Sequence, residues 1–201
     1  MTPASMPQGE LTTRDAVRAF LSKAPSDTEQ DALIDDLIVR ASALITKHCE
    51  REFVPTDGEA RQFAYDGSGY LNLVPFDLRS VDAIRFDVEP GESSTTLTTD
   101  QYRLRPLPAP DGVYQAIKFQ VYGGSASAWP ERTIEVEGDW GFAEVPADVQ
   151  DAAIKTVAIW MRRDASAYES TFRLDEDRIE HPKALPSAVF DLLDNYRRRV
   201  V

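Results

Sequence analysis

Gly138 to Trp160 reads G-D-W-G-F-A-E-V-P-A-D-V-Q-D-A-A-I-K-T-V-A-I-W. Alternation ends at its start and helical spacing begins at its middle. The stretch therefore joins a β-rich segment to a buried helix through a compact Gly-Trp-Gly turn. Pro146 stands where it can open that helix, because the N–H it lacks is one the first turn leaves unbonded. No residue in the stretch is placed for chemistry at neutral pH, so it reads as assembly architecture.

Outward from this junction the chain falls into three textures. The first, to about residue 58, is helical. Thr12 and Thr13 offer N-caps for a short helix carrying Ala16, Val17, Phe20 and Leu21 on one face, and Pro25 ends it. Ser26 precedes Glu29 by three residues, the spacing of a capping box. Behind it Leu33, Ile34, Leu37, Ile38, Ala41, Leu44, Ile45 and His48 keep helical spacing. Lys47 and Arg51 fall near the C-terminal end of that helix, where a cation is favoured.

The second texture, residues 60–140, predicts about six short strands. Arg61–Tyr65 and Tyr70–Val74 flank Asp66-Gly67-Ser68-Gly69, which predicts a hairpin. Val81–Val88, Tyr102–Leu104, Ala116–Tyr122 and Thr133–Glu137 are the others. Gly91–Thr99 is a polar loop, and Pro106, Pro108 and Pro110 mark an exposed connection. The third texture is a helix from Pro146 to about Arg163, apolar around most of its circumference. It is buried on several sides or lies in a subunit interface. Asp164–Lys183 is polar and predicted mobile, and Ser187 caps a last helix with Val189, Phe190, Leu192, Leu193 and Tyr196. The fold class expected is α+β, with N- and C-terminal helices packed together and a central antiparallel β-subdomain.

Composition bounds the function. The 201 residues carry a net charge of −12, which opposes general nucleic-acid binding by phosphate neutralisation. No apolar run is long enough to span a bilayer, and Met1–Glu10 has neither the basic nor the apolar part of a signal peptide. It reads as a flexible arm. The single cysteine, Cys49, forms no internal disulfide and is expected to be structural. His48 and Cys49 point about 100° apart on a helix, and neither CxxC nor HxxxH spacing supports a metal site. With His181 the only other histidine, no Ser-His-Asp or Cys-His set can be assembled. Gly67-Ser68-Gly69 and Gly123-Gly124-Ser125 lack the lysine and following helix of a phosphate loop and read as loop tips. Trp129, Trp140 and Trp160 have no basic groove beside them and read as core or interface rather than nucleic-acid stacking platforms. Glu135, Glu137 and Asp139 share one strand face, solvated or channel-facing, with an acid cluster for catalysis as the lesser alternative. No enzyme activity, cofactor or metal is expected.

Five motifs in this order resemble the head–tail connector (adaptor) proteins of tailed bacteriophages and phage-like gene transfer agents. They are L-T-T-R-D-A-V-R-A-F-L, D-A-L-I-D-D-L-I-V-R-A-S-A-L-I, L-N-L-V-P-F-D-L-R-S-V-D-A-I, D-Q-Y-R-L and G-D-W-G-F-A-E-V-P-A-D-V-Q-D-A-A-I-K. They span roughly residues 11–163. The resemblance implies a structural virion protein of the neck, present in the host cytoplasm before assembly. It implies a ring of this chain, commonly twelve subunits, seated beneath the portal protein. The ring would lengthen the DNA channel and dock a stopper or tail-completion protein. The alternatives are another neck protein, a stopper or tail terminator, or a small-ligand or enzyme module on the acidic β-face. Twelve copies at −12 would total about −144, an acidic collar that DNA passes without sequence-specific binding.

On this reading residues 1–10 are an arm and 11–163 a connector core, with helices in 13–52, the β-subdomain in 60–140 and a helix over 146–163. Residues 164–184 are a mobile segment and 185–201 a docking helix with a basic tail. Phe190, Leu192, Leu193, Tyr196, Arg197, Arg198 and Arg199 are candidate portal-binding residues, with a solvated basic helix end as the plainer reading. Trp140, Phe142, Val149, Val157, Trp160 and Met161 are candidates for core or subunit interface, with Trp140 and Phe142 expected to anchor the β-subdomain to the helical part. Glu135, Glu137 and Asp139 are candidates for an acidic channel wall.

Overall fold

The computed structural model describes residues 9–24, 26–86, 95–120, 132–170 and 185–198. The expected arm before residue 9, the Pro25 break, Gly123-Gly124-Ser125, Trp129, His181 and Arg199 lie outside these. The chain is α+β and forms two compact units, one of residues 1–50 with 145–201 and one of residues 51–144.

In the helical unit, α1 (Arg14–Phe20) is capped by Thr13, whose side-chain oxygen accepts the N–H of Ala16 at 3.3 Å. Helix α2 (Asp31–Cys49) starts later than the capping-box spacing predicts, with Gln30 at its N-cap and no side-chain cap. The reason lies in the residues before it. Asp27 N–H bonds Ala24 and Asp31 N–H bonds Thr28 in successive turns, while Arg18 bonds the Asp27 carbonyl and pairs with Asp31. Ser26 is thus outside the helix. Helix α2 ends at Glu50 in the left-handed region, φ 52°. The predicted apolar face is real: Val17 of α1 and Ile34, Leu37, Ile38 and Ala41 of α2 enclose one core with Val157, Trp160 and Met161.

Those last three belong to α3, Ala147–Ser170, which runs past the helix end expected near Arg163. Residues 164–170 are helical because D-A-S-A-Y-E-S holds no Gly or Pro to stop the ladder. The last segment is not one helix. A 3-10 turn (Ser187–Val189), a single α-turn, α4 (Phe190–Leu193), and another 3-10 turn (Asp194–Tyr196) follow one another. Pro186, extended at φ −62° and ψ 141°, occupies the N-cap, so Ser187 lies inside the first turn and does not cap it.

Among the described residues the β unit has seven strands in two sheets. They are β1 (Thr56–Tyr65), β2 (Tyr70–Asn72), β3 (Leu78–Phe86), β4 (Thr95–Thr96), β5 (Tyr102–Arg105), β6 (Ala116–Phe119) and β7 (Arg132–Trp140). Their orders are β1-β7-β3-β4 and β2-β6-β5. The predicted hairpin across Asp66–Gly69 is therefore corrected: β1 pairs with β7 and β2 with β6, all antiparallel. The Tyr65 hydroxyl accepts the Gly69 N–H at 2.8 Å, and the chain passes from one sheet to the other there. The supposed polar loop contributes β4, which pairs with the end of β3.

A single apolar core fills the space between the sheets. Ile84, Phe86, Ile134, Val136 and Trp140 from one meet Leu71, Leu73, Ile117 and Phe119 from the other. Strand β7 runs on through Gly138 and Asp139 to Trp140, so the turn begins only at Gly141, φ 71°. Both glycines are required. A Cβ on Gly138 would sit 2.1 Å from the Ser80 carbonyl oxygen, and one on Gly141 2.0 Å from that of Val54. Either alanine variant forces backbone apart, within the sheet at Gly138 and just beyond the end of β7 at Gly141. Denaturant unfolding of Gly138→Ala and Gly141→Ala should each show a loss of about 2–4 kcal/mol. Gly112→Ala, with φ 72° but open space around it, should lose only about 1 kcal/mol.

Candidate functional site

The C-terminal segment is positioned by α2. Arg198 N–H donates to the Cys49 carbonyl at 2.9 Å, and the Phe190 ring lies 5.1 Å from that of His48. Val189 and Leu193 are fully buried, and Arg198 is 9% exposed. Of the seven residues expected to dock a partner, Leu193 and Arg198 thus face inward. Phe190, Leu192 and Tyr196 are half-buried and Arg197 is exposed. Cys49 is buried in the same place.

The six apolar candidates are buried: Trp140, Val149, Val157 and Trp160 have no exposure, Phe142 3% and Met161 9%. Trp140 sits among Phe63 (5.8 Å) and Phe76 (6.0 Å), and its indole N–H donates to the Glu59 carbonyl at 2.8 Å. Phe142 packs on Phe53 at 5.3 Å.

Glu135, Glu137 and Asp139 do share the outward face of β7, since Ile134, Val136, Gly138 and Trp140 between them are buried. They are not a bare acidic wall. Arg85 on β3 bonds Glu135 at 2.9 Å and Glu137 at 2.6 Å. The register places Arg85 opposite Glu135 and Ala83 opposite Glu137. Asp139 accepts from Ser80 Oγ at 2.9 Å and from the Gly58 N–H at 3.0 Å. These bonds, Ser80 first, hold its carboxyl below the ordinary aspartate value.

Two arginines have partners that the sequence reading did not supply. Arg51, read as a cation near the helix end, is 3% exposed, bonds the fully buried Asp77 at 3.1 Å and lies 4.7 Å over the Phe142 ring. Arg61 lies 4.1 Å over Phe76 and 4.7 Å over Trp140, and pairs with Glu52 and Glu59. Strand alternation was the available signal, because it sets Arg61 on the face of Phe63 and Tyr65. Among the described residues no three metal-ligating side chains come together.

Because the folded-state pKa of Asp139 is depressed, its stabilisation is present above the unfolded value and is lost as pH falls through the folded one. Ser80→Ala removes the largest cause. An NMR titration should show the Asp139 pKa rising toward the ordinary value, with less stability lost on acidification.

The head completion protein family model matches residues 10–199. No curated protein matches. Among solved structures, a chain in the neck of an empty GTA particle computed with C6 symmetry is similar at 18% identity and TM-score 0.56, over 98% of this chain and 95% of that one. A chain in the virion of a native gene transfer agent particle is similar at 17% identity and TM-score 0.57, with the same coverage. Sharing its fold with these chains and matching the family model over nearly its whole length, the chain belongs to the head completion protein family.

Proposed function

We propose that the chain is a structural neck protein of a virion or gene-transfer particle, acting as the adaptor between portal and tail. The observation that carries this is the family match over residues 10–199, supported by whole-chain likeness to a protein of a GTA neck. Copies form a ring beneath the portal, and twelve copies suit the six-fold symmetry applied to that neck. The ring lengthens the DNA channel and offers its far side to a stopper or tail-completion protein. DNA passes without sequence-specific contact, and no catalytic step is involved.

Within this reading the portal-facing element is the C-terminal segment. Its accessible members are Phe190, Leu192, Tyr196 and Arg197, an apolar patch ending in a cation. Deleting everything after Asn195 is a poor test, because Arg198 N–H ties the segment to α2. Leu192→Asp and Arg197→Glu are better. Each should weaken binding to purified portal about ten-fold or more while leaving the unfolding temperature within a few degrees of the parent. Unchanged portal binding by both would remove the segment from the interface. Binding of the parent to tail tube, with none to portal, would favour a tail terminator.

A further inference from the structure

The β-sandwich has two outward faces of opposite charge. On the β2-β6-β5 sheet, Leu71, Leu73, Ile117 and Phe119 point into the core, so the alternate positions point out. The ladder aligns Tyr70, Lys118 and Arg103 in one row and Asn72, Ala116 and Arg105 in the next. Among the described residues none of these three cations forms an ion pair. Arg103 bonds the Thr99 and Tyr102 carbonyls. Its neighbour Asp100 feels its charge but is hydrogen-bonded by Thr98 Oγ1. Lys118 lies 5.2 Å over the Tyr70 ring.

Arg103 and Lys118 stand directly opposite each other, a like-charge pair that destabilises a sheet unless something anionic covers it. The same face is apolar at its edge. Tyr70, on the outward row, is 50% exposed, and Val74 in the turn after β2 and Leu107 in the bend after β5 are 42% and 56% exposed. Cations beside exposed aromatic and aliphatic groups suit a protein surface, where Tyr and Arg are enriched. A polyanion alone would leave the apolar part uncovered.

The other face supplies the complement. Glu135, Glu137 and Asp139 lie on the outward side of β7, and exposed Asp82 lies in the bulge of β3. Arg85 is the cation paired with Glu135 and Glu137, so this face keeps a net negative charge. The two faces lie on opposite sides of one core. A closed ring needs two different patches per subunit, and a chain of net charge −12 needs local attraction to overcome repulsion between copies. We propose that the Tyr70–Lys118–Arg103–Arg105 face docks against the Glu135–Glu137–Asp82 face of a second copy of this chain. This rests on the ring reading and goes beyond it by assigning the contact.

The test is sedimentation of the full chain, alone and with portal rings. Arg105→Glu/Lys118→Glu should weaken self-association about ten-fold or more with unchanged thermal unfolding. Mixing it with Asp82→Lys/Glu137→Lys should restore assembly. Raising NaCl from about 0.05 M to about 0.5 M should weaken the parent, as screening requires. Should a glutamate variant fail to fold, Arg105→Ala/Lys118→Ala serves in its place, with the same loss expected. Parent-like assembly by a folded face variant overturns the assignment while leaving the ring intact. So does a variant that assembles normally but loses binding to a short duplex DNA. A parent that stays monomeric even with portal overturns the ring reading itself.

Discussion

The β unit depends on backbone closeness at two points. At Gly138 the β7 main chain passes the Ser80 carbonyl with no room for a Cβ, and at Gly141 it does the same against Val54. Between them Trp140 is driven fully into the core, with its indole nitrogen satisfied by the Glu59 carbonyl. The two glycines and the tryptophan are one device. The glycines let the strands close, and the closeness fixes the depth of the ring. Phe63, Phe76 and Arg61 then have a surface to pack on.

Buried charge is the second organising element. Arg51 and Asp77 are both almost fully buried, and a lone charge in either place would be costly. The ion pair, the Phe142 face beneath the guanidinium and the bond from Gly141 N–H to the Asp77 carbonyl tie the entry of the unit to its exit. Arg61 works similarly on the surface side, its guanidinium covering two aromatic rings while two carboxylates complete its bonding.

Local periodicity carried much of this fold. The spacing of Ile34, Leu37, Ile38, Ala41 and Ile45 marks the buried face of α2, and the alternation of Glu135, Glu137 and Asp139 marks the outside of β7. Family membership was legible because five separated motifs kept their order. What escaped reading was non-local. Asp66–Gly69 has every local mark of a hairpin turn, yet the partners of β1 and β2 lie far along the chain. Arg85 comes to Glu135 and Glu137 only through the β3–β7 register, so a face that looks purely acidic in sequence is partly neutralised. Ser26 failed as a cap because Arg18 holds the residues that follow it. A window of a few residues contains none of these partners.

The helical unit is discontinuous, made of residues 1–50 and 145–201 with the whole β unit between them. Its core needs Leu37 to meet Val157, a closure across more than a hundred positions. The entropy of such a closure grows only slowly with length, but the search for it is slow when contacts are distant in sequence. The β1–β7 ladder shortens the search. It pairs Tyr65 with Arg132 and Thr56 with Trp140, and brings Phe53 against Phe142. Once it has zipped, the ends of α2 and α3 are joined by a short effective tether instead of a long chain. The ladder that supports the sandwich thereby also lowers the entropic cost of joining the two pieces of the half that surrounds it in sequence.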